Sequence, residues 1–86
     1  MANIDEILEA REKTHGNFES HSIISQYIKD GMRETDGWKA LNPAQAEALE
    51  MIAHKIARIL NGNSCVHDHW DDIAGYATLA SKSFEE

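Results

Sequence analysis

Two histidines, three aspartates and a tryptophan crowd into HDHWDDIAG, residues 67–75. The residue types admit two chemistries, a divalent-metal site or the acidic first turn of a helix. Glu47 and Glu50 stand three residues apart, and so do His69 and Asp72, a spacing that puts each pair on one side of a helix. If the two helices pack antiparallel, Glu47, Glu50, Asp68 and Asp72 converge between them and hold Mg²⁺ or Mn²⁺ through carboxylate oxygens. Such a cation would bind a substrate phosphate and lower the pKa of an attacking water. The competing reading makes Asp68 an N-cap and gives Asp71 and Asp72 to the helix dipole. Glu50 and His54 then form an ordinary exposed i, i+4 pair.

The remaining polar candidates are scattered. Cys65, His67 and His69 are soft-metal donors, but no second half of a zinc motif accompanies them. His15, in the turn THG, is placed to orient a substrate or to satisfy helix-end carbonyls. Lys55 and Arg58 suit phosphate contacts or a solvated flank with buried stems. Trp38 and Trp70 read as core or interface anchors. The chain has no nucleophile elbow, no P-loop and no dinucleotide-binding glycine pattern.

Helices must position these residues, because strand-type alternation is missing and helix punctuation is abundant. Asn3 caps a first helix through about Lys13, with Ile4, Ile7, Leu8 and Arg11 on its inner stripe. Gly16 and Asn17 break it. A second helix over 18–31 carries Phe18, Ile23, Ile24, Tyr27 and Ile28 on a broad apolar face, and a loop follows with Trp38 and Leu41 as anchors. Asn42, Pro43 and Gln45 make a capping box that opens a third helix running to Leu60. Its inner face is Leu49, Ile52, Ala53, Ile56, Ile59 and Leu60. The fourth begins near Asp68 or His69 and reaches Lys82, with Trp70, Ile73, Ala77 and Ala80 inward; Ala74, Gly75, Ala77 and Ala80 admit a close neighbour. The expectation is one all-α domain over 1–86, an antiparallel bundle of four main helices.

At 86 residues the core is small, and with one cysteine no internal disulfide can reinforce it. Self-association, as a dimer or higher oligomer, is the expected further source of stability. Fifteen acids against eight bases give a net charge of −7, which argues against non-specific nucleic-acid binding and favours a metal or a basic partner surface. No apolar run is long enough to span a membrane. The lone thiol fits a reducing, cytoplasmic compartment.

Three stretches, KTHGNF (13–18), QAEALEMIAHKIARILNG (45–62) and HWDDIAGYATLA (69–80), resemble a family of small phage and prophage proteins that carries a domain-of-unknown-function label. That resemblance implies a phage origin and the cytoplasm of an infected host cell. A second resemblance is to the MazG-like all-α nucleotide pyrophosphohydrolases, which carry E-x-x-E on one helix and E-x-x-D on the next. Glu47-x-x-Glu50 matches the first motif. His69-x-x-Asp72 stands at the second, with a histidine in place of a carboxylate. This resemblance implies a bundle that binds nucleotides or releases pyrophosphate from nucleoside triphosphates. Glu47, Glu50, Asp68 and Asp72 would hold Mg²⁺ or Mn²⁺, His15 and His69 would assist catalysis, and Lys55 and Arg58 would contact phosphates.

The alternative is a non-catalytic acidic interaction protein that inhibits a host factor or an antiviral defence complex. It would use Glu34, Asp36, Glu85 and Glu86 with Trp38 as anchor.

Overall fold

The computed structural model describes residues 3–84, and of residues 11–15 only the helical backbone. The described residues form five helices and no strand: α1 (Ile4–His15), α2 (Phe18–Arg33), α3 (Asp36–Lys39), α4 (Pro43–Asn61) and α5 (His67–Lys82).

Local signals set the boundaries. The Asn3 side chain accepts the Glu6 amide at 2.9 Å, and Asn17 accepts that of Ser20 at 3.1 Å. Between α1 and α2 the chain turns at Gly16, whose φ of +77° strains any residue with a Cβ. The capping box at α4 is complete: Asn42 accepts the Gln45 amide at 2.7 Å, and the Gln45 side chain accepts the Asn42 amide at 3.0 Å. The segment expected as a loop contains the single turn α3, which Thr35 caps. Helix α5 starts one residue before Asp68, at His67, and its cap position, Val66, has no side chain able to accept a hydrogen bond. Asp68 is therefore a first-turn acid and not the cap.

Helices α2 and α4 run antiparallel, tied at both ends. At one end Asn61 Nδ2 donates to the Asn17 carbonyl at 2.8 Å; at the other Arg33 pairs with Glu50 at 2.9 Å. Helix α4 lies centrally and packs on both α2 and α5, whereas α1 touches α2 and α4 only sparsely.

The helices turn inward only part of the apolar faces expected of them: Ala53 and Ile59 are buried, and Ile24, Ile28, Ile52, Ile56, Ile73 and Ala80 are half-buried. On α4 the buried residues are Ala48, Ala53, Ala57 and Ile59, while Leu49 and Leu60 face outward. On α2, His21 and Ser25 are buried, Ile24 and Ile28 are half-buried, and Phe18, Ile23 and Tyr27 are exposed. On α5, His69 is buried with Ile73, Tyr76 and Ala80 half-buried behind it, and Trp70 and Ala77 point outward. The indole N–H of Trp70 donates to the Ser64 carbonyl at 2.8 Å, which holds the ring against the preceding loop. The close helix approach expected at Ala74, Gly75 and Ala77 is made on α4 by Ala53 and Ala57 instead. A Cβ at Gly75 would meet nothing within 4 Å.

The common cause is helix separation. Alanines at the centre of α4 let its neighbours come close, which leaves room for Ser25 and two imidazoles while most large aliphatic side chains are only half-buried. Among the described residues no large side chain is fully buried. The chain presents 6218 Å² to solvent, against roughly 5100 Å² for a compact monomer of its mass. Its radius of gyration is 14.8 Å, against about 12 Å for a compact domain of this length.

Candidate functional site

Two polar clusters flank α4. The first lies between α2 and α4. His21 and His54 meet edge to face with ring centroids 4.6 Å apart. Exposure is 4 % for His21 and 3 % for Ser25, one turn further along α2. Neither His21 Nδ1 nor Ser25 Oγ has a hydrogen-bond partner. Each orphan of this kind costs about 1–3 kcal/mol when nothing satisfies it.

Both imidazoles resist protonation. Burial, followed by the nearby Arg58 charge, pushes His54 down to about 4, with His21, Lys29 and Lys55 adding to the effect. Burial, then Arg58 and Lys29, lowers His21 as well. The rings are therefore neutral at pH 7, and the cluster stays electropositive through its lysines and arginine in an otherwise acidic chain. A pocket of about 130 Å³ opens beside it, with Phe18, Gln26 and Lys29 among its walls.

The second cluster joins α4 to α5. Lys55 Nζ pairs with Asp72 at 2.9 Å, and this hydrogen bond, then the charge behind it, holds the Asp72 carboxyl below its ordinary value. His69, expected to assist catalysis, is 2 % exposed and lies in the α4–α5 seam. A shallow groove of about 280 Å³ runs along Asp71, Asp72, Gly75, Tyr76 and Leu79. His67 is fully exposed and bonds Asp71 at 2.9 Å, which raises its pKa.

The expected metal ligands are not brought to a shared point. Glu50 is engaged by Arg33 and so faces α2, whereas Asp72 is engaged by Lys55 on the side of α4 that faces α5. Glu47 and Asp68 are exposed. Among the described residues no three His, Cys, Asp or Glu side chains gather as a metal site, and Cys65 is exposed away from any such set. Glu50 lies five residues from Lys55, about 140° around the helix, so the two acids occupy different sides of α4. The anticipated Glu50–His54 pair gives way to Arg33–Glu50 and His21–His54.

Arg58 is half-buried within the polar region, and Lys55 is committed to Asp72. Glu34 and Asp36 are exposed around α3, with Trp38 half-buried between them and the bundle. His15 falls among the residues of α1 whose side chains are not described, and Glu85 and Glu86 lie outside the described residues. Sequence reasoning missed His21, Ser25 and Lys29. Their signal was the i, i+4, i+8 spacing, which stacks all three on one face of α2.

The geometry defines, over the described residues, an all-helical protein whose small interior mixes alanines and Ile59 with His21, Ser25 and His69, and which leaves several large apolar side chains exposed. The chain belongs to the family called domain of unknown function DUF6378, which it matches over residues 1–83. No curated protein and no solved structure matches it. Among the described residues no helix is long and apolar enough to cross a membrane.

Proposed function

We propose that this chain is a non-catalytic association module whose apolar helix faces are completed by a second copy of itself. The observation that carries this reading is the set of large apolar side chains left exposed. Ile4, Ile7 and Leu8 line one face of α1, Ile23 and Tyr27 the outer face of α2, and Leu49 and Leu60 project from α4, all exposed. The surface in excess of a compact monomer is roughly 1100 Å², more than the ~800 Å² that each partner contributes to a standard interface. An isologous pairing through the α1 stripe would cover the helix that the bundle itself holds least.

The pyrophosphohydrolase reading of a phage-encoded, MazG-like enzyme ranks behind this one. Glu50 and Asp72 would have to leave Arg33 and Lys55 before sharing a cation, and Glu47 and Asp68 would have to turn inward.

Two acidic copies repel, so added salt should tighten the pairing by screening; it would loosen a complex with a basic partner. Sedimentation velocity over a concentration series tests the proposal. Wild type should sediment as a dimer or larger species, with an unfolding midpoint that rises with concentration. The double variant Ile7→Glu, Leu8→Glu should sediment as a monomer. A wild-type monomer whose midpoint does not move with concentration would refute self-association.

A further inference from the structure

We propose that the pocket between α2 and α4 binds a phosphate group, with Ser25 Oγ and His21 Nδ1 as hydrogen-bond donors and Lys29 as the counter-charge. The three residues form a ladder at i, i+4 and i+8 on α2, and His54 of α4 closes the far wall. The site is independent of the association proposed above; it shares the α2-facing side of α4 with Glu50, which Arg33 engages, and not the side where Asp72 meets Lys55.

The unpartnered atoms carry the argument. Two other helical hydroxyls bond back to the carbonyl four residues earlier, Ser22 to Phe18 at 2.8 Å and Thr78 to Ala74 at 2.9 Å. Ser25, although 3 % exposed, makes no such bond. Ser25 and His21 both line the pocket, and neither Ser25 Oγ nor His21 Nδ1 has a hydrogen-bond partner within the protein; in the tautomer that places the proton on Nδ1, both are donors. A ligand rich in acceptors and carrying negative charge satisfies both.

Size is compatible with that class: a pocket of about 130 Å³ admits a tetrahedral oxyanion. The organic part of a phosphate monoester would lie beside the exposed ring of Phe18, which forms one wall. Charge supports the same choice, because Lys29 lines the pocket and its ammonium charge reaches both imidazoles. Water alone would satisfy the two donors but would not use that positive field.

The test is a titration of the full chain with inorganic phosphate at constant ionic strength set with chloride, followed by the imidazole NMR signals of His21 and His54 and by the unfolding midpoint. A phosphate monoester in a parallel arm separates free phosphate from an esterified source. Phosphate should shift both imidazole signals saturably and raise the midpoint. Ser25→Ala should raise the midpoint in phosphate-free buffer, since it removes an unsatisfied hydroxyl, and should weaken phosphate binding about tenfold. Lys29→Met, at a half-buried position that tolerates truncation of charge, should weaken it by at least as much. The proposal is overturned if wild-type imidazole signals and midpoint stay constant through tens of millimolar phosphate and monoester, or if both variants bind as wild type does.

Discussion

Lowering the pH from about 7 to about 5 should destabilise this protein through His54, and the effect can be worked from its surroundings. The ring is neutral in the fold because burial and Arg58 push its pKa from 6.5 to about 4. In the unfolded chain it titrates at its ordinary value. Above pH 6.5 both states are neutral and the group contributes nothing. Between 6.5 and about 4 the unfolded chain takes up a proton that the folded one refuses, so stability falls as the pH falls; below about 4 no further loss comes from this group. At about pH 5 the full shift corresponds to ~2 kcal/mol. Because His54 keeps part of its ring in water, screening reduces this to ~1 kcal/mol, a fall of about 4–8 °C in midpoint for a chain of this size. His21 acts in the same direction, and exposed His67, whose pKa is raised, acts in the opposite one. Comparison with His54→Gln removes both. Urea unfolding of the two proteins at the two pH values, at fixed concentration, should show wild type losing ~1 kcal/mol more than the variant. Equal losses, or a His54 titration midpoint near 6.5 by NMR, would refute the reasoning.

Gly16→Ala should cost at least ~2 kcal/mol in urea unfolding, because the left-handed φ strains any Cβ and that Cβ would overlap the Asn61 carbonyl. Asn42→Ala removes one half of a complete capping box and should cost ~1 kcal/mol by the same measurement. Ala57→Leu inserts a branched side chain at a position with no exposure and should cost about 1–3 kcal/mol or more, read as a lowered thermal midpoint. Arg33→Ala breaks a pair at the rim of α2 and α4 and should change stability by less than ~1 kcal/mol, because both side chains keep solvent contact.

Helix ends were legible in the sequence because the forces that set them act within three or four residues. Asn3, Gly16, Asn17, Asn42 and Gln45 do locally what their types suggest. The short α3 was hidden by its two neighbouring glycines, although Thr35 is an ordinary cap. Helix facing was legible only in part: Ala53 and Ile59 lie inward as expected, whereas Leu49, Leu60, Ile23, Tyr27 and Trp70 do not. Hydrophobic periodicity identifies an apolar sector but not how close the next helix lies, and that distance decides which third of a broad sector is covered. On α5 the covered residues are His69, Ile73, Tyr76 and Ala80, which keeps Ile73 and Ala80 of the expected stripe and replaces Trp70 and Ala77 by His69 and Tyr76. The spacing of Glu47, Glu50, His69 and Asp72 was correct as spacing. Its expected convergence depended on a facing that Arg33 and Lys55 decide, and both are partners that a motif does not contain.

The same displacement explains why a polar pocket and a sticky exterior occur together. A helix that approaches α4 over Ala53 and Ala57 has no space for Ile23 or Tyr27, so these turn outward and His21 and Ser25 occupy the seam in their place. Small polar groups in a seam become costly unless something accepts their protons, and large apolar groups at a surface become costly unless something covers them. One packing choice thus creates two separate demands, one met by a small anion and the other by a protein surface. They make different predictions for one variant: Ser25→Ala should lose the response to phosphate and keep its state of association. The double substitution on α1 should do the reverse. A variant that lost both together would mean that the pocket forms only within the assembled species, with the seam tightened by the partner copy.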